Sequence, residues 1–360
     1  MFVAWRDLRF ARGRFLLITA VVALMCVMVG FLSGLTGGLA WQNVSGVLGL
    51  HGDRVLLAPS TSTGSPSFAD SSFTAGQIDD ISASGGVTLG GGTGGPLGVS
   101  QWRAVAGDER AAVAVLGAAE AVLADAPSRD GLVVLSAPAA AALDAAVGDT
   151  VTIAGVDLEV ERIAGDLWYS HTPVARTTID DWRTLAGATG VQDPLATALV
   201  VTGGAPEWDA VQADTDTISQ SPLLSLQWLP AFRSEIGSLL LMVLLLFGIS
   251  ALVVGAFFAV WTLQRTGDIA VLKALGASER MLRFDALGQA AVVLIIGTTV
   301  GFGAVALLGL AVGGALPFIV SPLTTLLPAL GMLMLGLIGA AASLRAVTAA
   351  DPLTALGSNR

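Results

Sequence analysis

Charge is what this chain most lacks. Only 13% of its 360 residues are Asp, Glu, Lys or Arg, about half the ~25% of an average soluble domain, and that deficit argues against an ordinary cytosolic enzyme. The net charge of -10 argues against a nucleic-acid binder, which needs a basic surface to displace counterions. The one cysteine, Cys26, excludes a disulfide framework and any cysteine-rich metal site. The one lysine, Lys273, follows Leu272 and not glycine. A Walker loop needs Gly-Lys-Ser/Thr, so the chain is not expected to hydrolyse ATP. Two histidines, His51 and His171, and one tyrosine, Tyr169, fall into no HExxH, Ser-His-Asp or zinc spacing. Neither a catalytic centre nor an intrinsic cofactor is expected.

The missing charge is concentrated. Phe15–Gly52, Ile236–Gln264 and Ala286–Leu344 contain no charged residue over 38, 29 and 59 positions. A bilayer core takes about 20 apolar residues as helix. The third run would be roughly 88 Å long as one helix, so it must fold back, and Gly313, Gly314 and Pro317 to Pro322 supply the turn. Four spans result: 15–40, 236–264, and a third and fourth within 286–345 (Ala286–Val312 and Leu323–Leu344). The polar end of the first run (Gln42, Asn43, Ser45) is expected to project from the lipid as a helical stalk. The run is too long for the h-region of a cleaved signal peptide. Phe2, Trp5 and Leu8 with interleaved arginines predict an interfacial elbow helix over 1–14.

Basic residues flank the spans at Arg6, Arg9, Arg12 and Arg14, at Arg265, Lys273, Arg280 and Arg283, and at Arg345 and Arg360. The positive-inside rule places all of them in the cytoplasm. The chain is thus expected to be a multi-pass protein of the cell membrane. Both termini, the 265–285 loop and the 346–360 tail would lie inside, and residues 41–235 outside. The outer segment has 8 arginines against 23 acidic residues, whereas the remainder has 10 basic against 5 acidic. The acidic total therefore describes the outer domain and not the membrane part.

Residues 41–235 read as a soluble α+β domain. Asp53 to Pro59 predicts a strand, and Thr74 caps an amphipathic helix with Ile78 and Ile81 inward. Gly85 to Gly98, containing GGGTGG, reads as a flexible loop and not a phosphate loop. Gly131–Ser136 predicts a buried strand, with Ser136 capping an alanine-rich helix. Thr150 to Ile163 alternates about Ala154-Gly155 as a hairpin. Asp180 to Leu185 starts a helix, Leu195 to Thr202 is a strand, and Pro206 to Ala213 is the last helix expected. The fold class is an α-helical membrane protein with four transmembrane helices and a soluble α+β extracellular domain between spans one and two.

The segment Thr262–Phe284 extends the second span until Gly276 breaks it. Ser278 then caps a new helix, with Glu279 in its first turn. Within it, Arg265, Asp268, Ile269, Leu272, Lys273, Ala274, Leu275, Gly276 and Ala277 resemble the loop motif of FtsX-like permeases. These are the membrane subunits of MacB-type (type VII) ABC transporters; Asp268 stands where Glu is usual. The outer pattern over Gly131–Ile163 and the order of one span, a large outer domain and three spans also resemble that family. The resemblance implies a permease homodimer, two copies of a separate ATP-binding subunit, and docking of that subunit at Arg265, Asp268, Lys273, Leu275, Gly276 and Ser278. It also implies work by mechanotransmission.

For the cargo, Asp166–Ala175 clusters Trp168, Tyr169 and His171. The residues read equally as aromatic packing at a strand edge or as a haem contact, since Tyr and His both ligate haem iron. Met28 lies in the first span; Glu235 and Met242 lie seven apart in the second, on one face. The expected geometry puts them in the outer leaflet opposite Phe31 and its successors. An ionisable group facing a bundle is a site hypothesis. The YSHTPV run resembles haem-efflux permeases of Gram-positive bacteria. That implies ATP-driven export of haem entering sideways from the lipid, with Glu235, Met242, Met28, Tyr169, His171 and Phe31 as candidate contacts and no metal site beyond haem iron ligands. Export of a macrolide or antimicrobial peptide, lipoprotein extraction, a scaffold activating cell-wall hydrolases and a sensor paired with a kinase are the alternatives. Gly30, Gly34 and Gly38 form a small-residue ridge suited to close helix packing, between protomers, between spans one and two, or within one chain.

Overall fold

A computed structural model describes residues 12–59, 66–68, 70–83, 94–202, 208–264, 267, 271, 275–276, 278–312 and 316–348. The proposed elbow helix falls almost wholly outside these residues, as do Lys273 and the end of the tail. Contacts divide the chain into a membrane unit, Met1–Gly38 with Ser238–Arg360, and an outer unit, Leu39–Gly237.

In chain order the elements are α1 (Arg12–Leu48), β1 (Arg54–Leu57), α2 (Ala75–Ala83), β2 (Gly94–Ala106), β3 (Glu109–Gly117), β4 (Leu132–Leu135) and α3 (Ala137–Leu143). Then come β5 (Thr150–Ile153), β6 (Val156–Ile163), β7 (Trp168–Tyr169), β8 (Thr172–Thr177), α4 (Ile179–Ala188), β9 (Ala198–Val201), α5 (Trp208–Thr215), β10 (Ile218–Gln220) and α6 (Pro222–Ser225). A short 3-10 turn, Leu226–Trp228, leads into α7 (Pro230–Gln264), and α8 (Glu279–Val312) and α9 (Leu327–Thr348) complete the chain.

Four helices are long and apolar enough to cross a membrane: Phe15–Leu48, Ala231–Gln264, Arg280–Val312 and Pro322–Ser343. In the membrane unit, glycines set the packing distances. A Cβ at Gly297 would stand 2.7 Å from Val22, and one at Gly301 would stand 2.5 Å from Cys26, so α8 lies directly on α1. A Cβ at Gly339 would stand 3.3 Å from the Gly255 Cα, so α9 packs closely on α7, and Ser343 Oγ donates to the Gly255 carbonyl at 3.0 Å. The Gly30 ridge is covered within one chain. Gly30 faces Phe302 and Val305 of α8, Gly34 faces the Phe318 ring, and at Gly38 a Cβ would stand 1.9 Å from the Pro317 carbonyl oxygen. Of the placements the sequence leaves open, packing within one chain is the one these contacts realise. The turn after α8 runs extended and enters α9 through a single π-helical turn, Pro322–Leu326, capped reciprocally by Ser321 and Thr324.

The outer unit is a ten-stranded assembly in which β2 belongs to two layers. Its first residues pair with β9 in the antiparallel order β10-β1-β9-β2. Its later residues pair with β3, and Ala104 and Val105 pair with β5. Since β3 joins β8, β8 joins β4, β4 joins β6 and β6 joins β5, the second layer closes on itself as a six-stranded barrel. Val113, Val115, Val133, Leu135, Val151, Ile153, Leu158 and Val160 are buried in it. They are largely β-branched, as a pleated core surface favours. α3 and α4 cover it through Leu143, Trp182 and Leu185. On the other layer, Leu56, Leu199 and Val201 pack with Phe73 and Ile81. The stalk of α1 enters the outer core through Val44 and Val47.

Three local expectations need correction. Gly94, Gly95 and Gly98 lie in strand β2 and not in a loop; Gly98 pairs with Gly117, and a Cβ on either would strike Trp182. Ser136 occupies the N-cap of α3, yet its hydroxyl makes no capping bond. The helix near Pro206 is not the last, because β10, α6 and the 3-10 turn follow it. The hairpin Thr150 to Ile163 turns at Ala154 and Gly155 with φ of 50° and 85°, as a two-residue primed turn requires.

Candidate functional site

One cluster in the outer unit brings together residues far apart in sequence. It is built on the stalk of α1. Trp41 Nε1 donates to the Asp166 carbonyl at 2.9 Å. The Ser45 hydroxyl accepts from Trp168 N at 2.8 Å, and Gly46 leaves room for the Trp168 carbonyl. The β7–β8 hairpin then turns at Ser170 and His171. Both are non-glycine residues with positive φ, 46° and 63°, a conformation that disfavours a Cβ. Their N–H groups donate to the α1 carbonyls of Asn43 and Gln42 at 3.0 and 2.9 Å. The hairpin tip is thereby fixed on the helix.

His171 then meets the first turns of α7. Its Nε2 lies 2.7 Å from Glu235 Oε2, and Asn43 Nδ2 lies 3.2 Å from both atoms. The imidazole and the carboxylate are each about one-third exposed, at 34% and 32%, while Asn43 is fully buried. With the proton on Nε2, both neighbours donate to Glu235 Oε2. A charged carboxylate so held is anchored by charge-assisted bonds and keeps one face open to solvent.

The other candidates separate. Tyr169 is buried at 5% exposure, edge-on to Phe68, and burial pushes its phenol well up from its ordinary range. Its ring is thus engaged in core packing. In the membrane unit, Phe31 packs on Phe318 at 5.4 Å between ring centroids, so its ring is engaged by the connector to α9. Met28 and Met242 are exposed on their helices. Asn43 went unrecognised as a site residue because a single amide in a stalk carries no motif. Its only signal was a polar side chain in an otherwise apolar run.

On the loop before α8, Gly276 has φ of 91° and ends the preceding turn, and Ser278 Oγ accepts from Met281 N at 3.3 Å. Leu275, Met281 and Phe284 are strongly exposed there. Arg265, Asp268 and Lys273 lie outside the described residues.

Residues 239–352, from the second apolar helix to beyond the fourth, match the FtsX-like permease C-terminal family. The chain carries an FtsX-like permease domain. Its similarity to curated proteins extends further, over the outer unit as well. A protein of Staphylococcus haemolyticus named as a hemin transport system permease, HrtB, is 25% identical over 99% of both chains. One of the same name from Staphylococcus epidermidis is 23% identical over the whole of both. Among solved structures, the match to the extracellular domain of the noncanonic ABC-type transporter YknZ from Gram-positive bacteria covers 47% of this chain and 98% of that one. It has 15% identity and a TM-score of 0.32.

Proposed function

We propose that this FtsX-like permease is the membrane subunit of an ABC efflux transporter in the cell membrane and that its cargo is haem. The observation that carries the cargo is the end-to-end similarity, over 99–100% of both chains, to proteins named for hemin transport. A fusion of unrelated parts would match over one unit only. In this reading two copies of the chain bind two copies of an ATP-hydrolysing partner. Both termini lie in the cytoplasm. The exposed Leu275, with Met281 and Phe284 and the neighbouring Arg265, Asp268, Lys273, Gly276 and Ser278, forms the docking surface for that partner. The polar cluster of His171, Asn43 and Glu235 ties the outer hairpin to the helix that leads into the second span. Haem would enter sideways from the lipid, with Met28, Met242 and Glu235 as contacts, and ATP-driven movement of the helices would be passed to the outer domain through this tie.

The test is a purified complex of this chain with its ATP-binding subunit in lipid nanodiscs. Haem is expected to stimulate ATP hydrolysis and to give a saturable Soret shift on the permease, with macrolides and peptides inert. Stimulation by macrolide or peptide without response to haem would overturn the cargo. Unchanged haem sensitivity in a deletion strain would do the same.

A further inference from the structure

The atoms Nε2 of His171, Oε2 of Glu235 and Nδ2 of Asn43 form a triangle with sides of 2.7, 3.2 and 3.2 Å. Donors bound to one tetrahedral zinc at 2.0–2.1 Å stand about 3.3 Å from one another; the two 3.2 Å sides match that spacing, and the 2.7 Å side is that of the His171–Glu235 hydrogen bond, which an ion replacing the shared proton would widen. The third corner carries nitrogen as the amide now lies. Asn43 is fully buried, and its Oδ1 has no hydrogen-bond partner. A half-turn of the amide exchanges the two atoms and brings Oδ1 to 3.2 Å from each of the other donors. Amide orientation follows whatever partners are present. Without an ion, the donor end faces the carboxylate; with one, the acceptor end would.

Two further features fit a ligand. The hairpin tip that carries His171 is held at positive φ at two successive non-glycine residues, a strained geometry of the kind that collects at binding sites. The imidazole and carboxylate each remain about one-third exposed, which leaves a side for water to complete the coordination. Among the described residues no three His, Cys, Asp or Glu side chains converge on a point, so the amide is needed as the third donor. One imidazole nitrogen with two oxygens suits a divalent transition ion better than calcium or magnesium, which prefer all-oxygen sets.

We infer that His171, Glu235 and Asn43 form an external binding site for a divalent transition-metal ion such as zinc, clamping the β7–β8 hairpin to α1 and to the start of α7. This goes beyond the transport reading and does not depend on the cargo being haem.

The experiment is isothermal titration of the tag-free, chelator-stripped full chain in detergent with zinc chloride and no haem present. One saturable equivalent per chain is expected. His171→Ala is expected to abolish it, and Glu235→Gln and Asn43→Ala each to weaken it about tenfold or more. The chain has only one other histidine, His51, so His51→Ala must leave the site intact. X-ray absorption at the zinc edge should show one imidazole and oxygen ligands with no sulfur. His171→Gln, whose amide can still hydrogen-bond Glu235, should keep the fold, read by circular dichroism and elution volume, and still lose the ion. Absence of a stoichiometric site in the wild type, full affinity in a folded His171→Gln chain, loss of binding in His51→Ala, or a sulfur ligand would each overturn the assignment.

Discussion

Gly98 lies beneath the indole of Trp182 so closely that a Cβ there would stand 2.0 Å from the ring. Gly117, its cross-strand partner, is equally covered, at 2.2 Å from Trp182 Cβ. The pair is thus a floor for a buried tryptophan. Gly98→Ala is expected to destabilise the outer unit by about 1–3 kcal/mol through overpacking. Gly187→Ala meets nothing within 4 Å and should be neutral or gain about 0.5–1 kcal/mol in its helix. Thermal melts of the two variants, scored by tryptophan fluorescence, decide the point. Equal behaviour would mean the floor yields freely.

Arg176 is the largest fully buried side chain among the described residues. It donates to the carbonyls of Ala164 and Ala124 at 2.6 and 3.0 Å and pairs with Asp125 at 3.3 Å. Burial pulls its guanidinium down from the ordinary range, and Asp125 opposes that. Replacement by Ala leaves two carbonyls without their donor, at about 1–3 kcal/mol each, while Asp125, 53% exposed, is solvated. Lys cannot reproduce the fork, so Arg176→Lys should recover little. Chemical denaturation of the full chain measures both.

Asp144 closes α3 with φ of 46° and ψ of 41°, placing a Cβ in the left-handed region and a carboxylate at the negative end of a helix. Both are unfavourable. Asp144→Gly is expected to stabilise the outer unit by about 1 kcal/mol, seen as a higher melting midpoint with activity unchanged.

Glu161 is held below its ordinary carboxyl range, first by a hydrogen bond with the Ser128 side chain, then by the Ser128 N–H, Arg162 and Arg129, with burial opposing. A depressed folded value gives stability above the unfolded value that disappears as the pH falls through the folded one. Glu161→Gln should therefore be less stable than wild type at pH 7, by under about 1 kcal/mol for a partly exposed, solvent-screened group. The two chains should converge as the pH falls through the depressed folded value. A gap that widened in acid would contradict this assignment.

His171→Ala and Glu235→Gln each remove one side of the 2.7 Å contact. If the cluster links the outer hairpin to the second span, both should reduce haem-stimulated ATP hydrolysis about tenfold, the worth of one charge-assisted hydrogen bond, while basal hydrolysis persists. The double variant should be no worse than either single one, since both act on the same link.

The four spans could be read directly from the chain because a bilayer core excludes charge over a fixed length, and Phe15–Gly52, Ile236–Gln264 and Ala286–Leu344 record that exclusion residue by residue. The Ala154-Gly155 hairpin was equally legible, since its turn is a local matter of φ. The long β2–β3 pairing was hidden because its glycines look like a loop until a tryptophan from α4 is laid on them. The same limit applies to the site. The sequence marks His171 through its aromatic cluster with Trp168 and Tyr169, and Glu235 as an ionisable group at the start of a span, but Asn43 lies 128 residues from His171 and 192 from Glu235. No spacing connects three residues on a stalk, a hairpin tip and a helix start. Composition and local periodicity determined the spans and the separate outer domain. The closed barrel, the covered glycine ridge and the convergence of three donor groups were decided only by the tertiary fold, because each depends on contacts between segments that the chain order leaves independent.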